Sequence, residues 1–194
     1  MKINNISNII AIGSVKGGVG KSTITANIAI FLNKKNKRIG ILDADIYGPS
    51  QEKILGLKKL SIYKNNNIIP AEANNIKIVS INSLIKKNEV LLIKAPIINK
   101  LTKILTNNVY WNTLDYLLID LPPGTGDIHI NIMQNLPIDS AIIISSPQKM
   151  SFNIAKKSIY MFNSLNIPII GFIENFSFFS CYNCKKKITY LIFQ

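Results

Sequence analysis

Between an apolar run, Ile9 to Ser14, and an amphipathic stretch starting near Ser22 stands Ser14-Val15-Lys16-Gly17-Gly18-Val19-Gly20-Lys21-Ser22-Thr23, which constrains the fold more than any other segment. Gly17, Gly18 and Gly20 let consecutive backbone N–H groups curl around an anion, and a helix beginning just after them aims the positive end of its dipole at the same point. Lys21 and Ser22 follow the last glycine in the order needed to neutralise the β/γ-phosphates of a nucleotide and to ligate Mg²⁺ through a hydroxyl. A plain glycine turn capped by Ser22 would not require lysine and serine in that order between a strand and a helix.

The rest of the chain is built to surround such a loop. Apolar runs at Ile9–Ser14, Lys37–Asp43, Asp115–Leu121, Ser140–Ser145 and Ile167–Asn175 read as five buried strands. Helical patterns alternate with them at Ser22–Asn36 and Ser151–Asn166, and another helix is expected within Asn88–Asn108, begun after Pro96. Leu57–Asn82, with short Ile-rich runs broken by Asn and Pro70, is expected to be a hairpin-like insertion. The predicted class is α/β, a mostly parallel sheet with helices on both faces. At 194 residues the chain buries roughly 70% of its unfolded surface without disulfides or metal, and residues 1–194 read as one domain.

Composition excludes several classes of function. No apolar run approaches the roughly 20 residues of a membrane span, and Met1-Lys2-Ile3-Asn4-Asn5 lacks a basic-then-apolar leader, so a cytoplasmic protein is expected. The net charge of +13 invites a nucleic-acid reading, but Arg38 is the sole arginine, and arginine is the main bidentate reader of guanine. Lysine, isoleucine and asparagine share A/T-rich codons, so composition drift explains the charge as well as a binding surface does. No specific nucleic acid and no membrane partner is expected.

The loop departs from GxxxxGK[ST], which would place its first glycine at Val15, and it carries an additional lysine, Lys16. It resembles the deviant Walker A loop of the MinD/ParA class of dimeric ATPases. By that resemblance Lys16 reaches the partner subunit's nucleotide, as an arginine finger does. Two acidic segments follow strands, where an open α/β sheet places its ligand crevice. Asp120, after Tyr116-Leu117-Leu118-Ile119, looks like the Walker B carboxylate that holds the Mg²⁺ water shell. In Asp43-Ala44-Asp45, Asp45 is the candidate to orient the attacking water and Asp43 is expected near the metal. Gly124 and Gly126 would let the loop Asp120–Asp127 sense the γ-phosphate through its backbone. His129, the sole histidine, reads as a structural or surface residue, because phosphoryl transfer of this type relies on positioning and electrostatics.

Cys181-Tyr182-Asn183-Cys184 contains the only cysteines. A redox dithiol, half of a metal site and two incidental thiols are all open readings. Zinc and iron–sulfur clusters both prefer four thiolates, and a symmetric dimer would supply four across its two-fold axis.

Lys16–Thr23, Asp43-Ala44-Asp45-Ile46-Tyr47-Gly48-Pro49-Ser50, Asp120–Asp127 and Gly171-Phe172-Ile173-Glu174-Asn175-Phe176-Ser177 with the cysteine pair together resemble the Mrp/ApbC family of P-loop ATPases that carry iron–sulfur clusters. The resemblance implies a homodimer with a labile [4Fe-4S] cluster bridged by Cys181 and Cys184 of both subunits, delivered to apo-proteins in a cycle of slow ATP hydrolysis, with apo iron–sulfur proteins and cluster assembly scaffolds as partners. It implies that Asn175 contacts the adenine base. Val15 replaces a usual glycine, Ile93-Lys94-Ala95-Pro96 replaces a Trp-Arg-Gly-Pro segment, and family members continue well beyond the cysteines. Two alternatives are a MinD/ParA-like positioning ATPase acting on membrane or DNA, and a reduced cluster-binding module without ATP turnover. The former predicts an amphipathic C-terminal helix or a compact basic surface, whereas Ile188–Phe193 reads as a strand.

Overall fold

Alternation along the first strand divides the molecule into layers. In β1 (Ile6–Gly13), Ile9 and Ala11 enter one apolar cluster while Ile10 and Ile12 enter another, so this strand is buried on both faces. The structure, a computed structural model, describes residues 3, 5–14, 16–46, 48–57, 61–64, 67–80, 95–124, 126–147 and 149–189.

β1 pairs in parallel with β7 (Leu114–Asp120) on one side and β8 (Ser140–Ser145) on the other. β7 continues to β2 (Ile39–Asp43) and then β6 (Ile76–Ser80), and β8 continues to β9 (Ile169–Glu174), all parallel. β5 (Ala71–Ala73) closes the far edge antiparallel to β6, giving the order β5-β6-β2-β7-β1-β8-β9. One face is covered by α1 (Lys21–Lys34), through Ala26 and Ala29, and by Leu55 at the end of the short α2 (Gln51–Ile54). The other is covered by α3 (Ala95–Asn107), α4 (Asp127–Asn135) and α5 (Lys149–Ser164), through Leu101, Leu105, Ile132, Met133, Met161 and Phe162. The expected parallel sheet with helices on both faces is therefore present.

The differences from expectation are local. The five strands and two helices occur with ends shifted by a few residues. The region 57–82 is more than an insertion. It holds a hairpin of β3 (Ile62–Lys64) and β4 (Asn67–Ile69), but β5 and β6 belong to the main sheet. α3 begins at Ala95, so Pro96 lies in its first turn, where a missing N–H breaks no helical bond. Val15, Tyr47, Ile93, Lys94, Thr125 and the tail 190–194 lie outside the described residues, as does the 88–94 part of the segment in which the third helix is expected.

Beyond β9 the chain leaves the sheet and forms a separate antiparallel hairpin, β10 (Phe178–Ser180) with β11 (Lys187–Thr189). No helix among the described residues is long and apolar enough to cross a membrane.

Candidate nucleotide and thiol sites

Parallel pairing brings the ends of β1, β7 and β2 together, with Asp120 in register with both Ile12 and Asp43. The glycine loop leaves β1 at this edge. Gly18 and Gly20 take left-handed φ values of 77° and 82°, which a side chain disfavours, and Gly20 forms the N-cap of α1. A Cβ on Gly20 would also collide with the Asn175 side-chain amide. No neighbour crowds the Cβ positions of Gly17 and Gly18, and both residues are exposed with Lys16. Val19 turns inward and is buried. The result is an open backbone cradle at the N-terminus of a fourteen-residue helix, suited to an anion.

Beneath the cradle, Lys21 Nζ donates to Asp120 Oδ1 at 2.5 Å, with side-chain exposures of 6% and 0%. Lys21 Nζ also reaches Ser22 Oγ at 3.4 Å. Asp120 Oδ1 accepts from Thr25 Oγ1 at 3.3 Å, and Asp120 Oδ2 accepts from Gln51 Nε2 at 2.8 Å. Gln51 Nε2 also donates to the Ser22 carbonyl, while its Oε1 is buried without a hydrogen-bond partner. Gln51 thus ties the end of β7 to the start of α1. No sequence motif singles it out, although it directly follows the segment Asp43–Ser50.

Asp43 is fully buried beside Asp120. Its Oδ2 accepts the backbone N–H groups of Ser50 and Gln51, and its Oδ1 that of Asp45. Burial pushes its carboxyl up to about 6, assisted by the Asp120 charge and opposed by those backbone donors, of which Gln51 is the strongest. Asp45, 9% exposed, accepts the Gly48 N–H. Gly124 N–H donates to the Ser14 carbonyl, which fastens the loop after β7 to the end of β1. Asn175, just past β9, donates from its backbone to Ser145 and from Nδ2 to the Val19 carbonyl at 2.9 Å. Thr23 is exposed on α1.

His129, in the first turn of α4, is 2% exposed, and neither ring nitrogen has a hydrogen-bond partner of ordinary geometry. Burial first, then the Lys21 charge, lowers its pKa to about 4, against a small opposing effect of the Pro122 carbonyl. The structural reading of His129 fits this burial.

His129 and Asp43 make opposite contributions to stability. A histidine whose pKa falls on folding binds fewer protons than in the unfolded chain, so stability rises with pH between about 4 and 6.5. A carboxyl raised to about 6 binds more protons when folded, so stability falls between about pH 4 and 6. Each shift corresponds to about 3 kcal/mol, and the two nearly cancel. Equilibrium urea unfolding at pH 4 and 6 is expected to give His129→Gln a stability that drops toward pH 6 and Asp43→Asn one that climbs. Parallel pH profiles in the two variants would contradict these assignments.

The thiols lie in the turn of the separate hairpin, 181–186. Cys181 is half-buried, Cys184 is exposed, and both are free. Cys181 N–H donates to the Lys186 carbonyl, and Lys185 N–H donates to the Cys181 carbonyl. The Cys181 thiol is held below its ordinary pKa by the Cys184 backbone N–H first, then the Cys184 thiol and the Asn183 N–H. Such donors favour the thiolate, the form that binds metal. Among the described residues no group of three or more His, Cys, Asp or Glu side chains is arranged to hold a metal ion. The pair offers two thiol donors.

A glycine cradle at a helix N-terminus, with a lysine paired to the aspartate that ends a neighbouring parallel strand, defines a P-loop NTPase fold. A family described as ParA, NUBPL iron-transfer P-loop NTPase, matches residues 5–194, and the chain belongs to it. Curated relatives include proteins named iron-sulfur cluster carrier protein. That of Rickettsia conorii is 45% identical over 176 residues, covering 91% of this chain and 55% of the relative. That of Aquifex aeolicus is 40% identical over 195 residues, covering 99% and 53%. The chain spans about half the length of these relatives. A nucleotide-binding protein from Archaeoglobus fulgidus, solved with ADP, is 35% identical with a TM-score of 0.81, over 98% of this chain and 75% of that one. The septum site-determining protein MinD of Pyrococcus horikoshii, 22% identical with a TM-score of 0.68 over 87% and 70%, shares the fold.

Proposed function

We propose that this chain is a nucleotide-dependent iron–sulfur carrier, acting as a cytoplasmic homodimer that hydrolyses ATP slowly and delivers a [4Fe-4S] cluster to apo-proteins. The observation that carries the reading is the contact between Asn175 and the Val19 carbonyl. The same residue that seats against the glycine loop stands six positions before Cys181, so any rearrangement of the loop is felt at the root of the thiol hairpin.

The donor set fits MgATP. Backbone N–H groups of Gly17–Thr23 and the Lys21 ammonium would hold the phosphates, and Asn175 would face the base. Ser22 would ligate Mg²⁺, and Asp120 and Asp43 would order its water shell, Asp43 by fixing segment 45–51 through three backbone bonds. When bound, Mg²⁺ offsets charge on the phosphates and helps to position them. Lys21 is already oriented by Asp120, and a phosphate gives its ammonium a second anionic partner. Asp45 would orient the attacking water, and Lys16 would offset developing charge at the partner's nucleotide. Cys181 and Cys184 from two copies complete a tetrathiolate for the cargo.

The test is cluster transfer from reconstituted protein to an apo-protein, with and without MgATP, in the parent and in Asn175→Ala. ATP is expected to change the parent's transfer rate several-fold and to leave the variant's rate nearly unchanged, while the variant keeps its iron. A parent rate indifferent to MgATP would break the coupling. Lipid or DNA co-sedimentation that depends on ATP but not on the cysteines would favour the positioning-ATPase alternative.

A further inference from the structure

Eight non-glycine residues among those described have positive φ, and six are asparagine, a residue that tolerates this region. The other two are Phe176, at φ 60°, and Lys185, at φ 56°, which stand on either side of the cysteine pair. Lys185 occupies the position directly after Cys184, where the turn closes through its N–H to the Cys181 carbonyl and where glycine would be unstrained. A strained backbone carrying a long charged side chain at such a place points to a use for that side chain.

Lys185 also opens Lys185-Lys186-Lys187, the chain's only run of three lysines, and no acidic residue follows Glu174. All three are exposed. Two are held over aromatic rings: Lys185 Nζ lies 4.9 Å from the Tyr182 centroid, and Lys187 Nζ lies 4.6 Å from that of Phe178. Phe178 and Phe179 are about half exposed and Tyr182 is 85% exposed, an unusual outlay of aromatic surface on a six-residue, two-stranded element. Around the thiols, then, ammonium groups alternate with aromatic rings.

We propose that this hairpin is a docking surface for an acidic protein partner, whose carboxylates pair with Lys185, Lys186 and Lys187 while Phe178, Phe179 and Tyr182 supply the apolar contact beside the cysteines. On the carrier reading above, that partner is the protein that takes or supplies the cargo. The other dense basic run, Lys34-Lys35-Asn36-Lys37-Arg38, has its arginine paired with Asp115 and does not adjoin the cysteines in the chain. Complementary charge at a binding surface speeds encounter and weakens with salt.

The probe is fluorescently labelled apo-ferredoxin, an acidic protein, titrated by anisotropy with the 194-residue chain in low and moderate salt, and with no iron present. The parent is expected to bind at low salt and to weaken about tenfold on raising it. Combined Lys185→Glu, Lys186→Glu and Lys187→Glu should lose binding at least tenfold while still taking up iron and sulfide on reconstitution. The three matching Lys→Arg changes should restore binding. Equal affinity in the parent and the glutamate variant, affinity insensitive to salt, or no binding by the parent would overturn the docking surface. So would lysine-dependent sedimentation with phosphatidylserine vesicles in place of ferredoxin binding. Because binding is read without metal, a chain that fails to load a cluster sinks the carrier reading and leaves the docking result legible.

Discussion

Cys181→Ser is expected to reduce iron and acid-labile sulfide from about four of each per dimer to near zero after anaerobic reconstitution, with loss of visible absorbance. The chain offers two thiols, and no larger group of metal-binding side chains is arranged among the described residues. A tetrathiolate therefore draws two donors from each copy, and removing one cysteine per chain leaves two of four. The hairpin stands apart from the seven-stranded sheet, with both strands three residues long and β10 exposed, so the substitution leaves the core intact. Thermal unfolding of the metal-free variant is expected within about 0.5 kcal/mol of the parent, as for a surface change. Native mass should show the loaded parent as a dimer and the variant shifted toward monomer. A variant that kept its iron and sulfide, or a folded parent that took up neither, would remove the cysteine pair from the cargo site.

Lys21→Ala should abolish nucleotide binding and lower stability at once, which few active-site changes do together. The ammonium is buried against Asp120 at 2.5 Å. Removing it leaves a fully buried carboxylate with only the neutral donors Thr25 and Gln51. Breaking a buried pair from one side costs about 3–5 kcal/mol, because the surviving charge is uncompensated. On the proposed function, loss of the phosphate contacts is expected to lower ATP turnover by about two to three orders of magnitude. The two effects separate in a double variant: Lys21→Met with Asp120→Asn removes both charges, so most of the stability returns while MgATP binding does not. Denaturant unfolding with binding of a fluorescent ATP analogue measures both. Should Lys21→Ala match the parent in stability, the ion pair would contribute little to the fold; should it bind nucleotide normally, Lys21 would not be a phosphate ligand.

The parts of the molecule legible in the sequence were those whose residues stand in a fixed order or interrupt an apolar run. Gly17, Gly18, Gly20, Lys21 and Ser22 stand in a fixed order between a strand and a helix, and Asp120 ends an unbroken apolar run. β6 was harder to see. Ile76-Lys77-Ile78-Val79-Ser80 differs little from the Ile-rich, Asn-broken text around it, and only its parallel pairing with β2 marks it as a strand of the main sheet. Gln51 was invisible for a different reason. An amide has no spacing rule of its own, and its place on Asp120 depends on the bend that Asp43 imposes on the intervening segment. The thiol hairpin was only half legible: its second strand, Lys187–Thr189, overlaps the start of the tail predicted to be extended, but nothing local indicated that Phe178–Ser180 would pair with it.

The placement of β1 at the middle of the sheet has a consequence for how the chain is made. Its two neighbours, β7 and β8, begin at Leu114 and Ser140, more than a hundred residues later. Until those segments leave the ribosome, only β2, β5 and β6 of the main sheet can associate, and the glycine loop has no Asp120 against which to form. Contacts of such sequence separation pay a large loop-closure entropy before they are rewarded, so the sheet closes late and slowly. The apolar first strand of the nascent chain is meanwhile unpaired, a substrate for chaperones and a risk for aggregation. Competence to bind nucleotide therefore arrives only after β7 and β8 have been made.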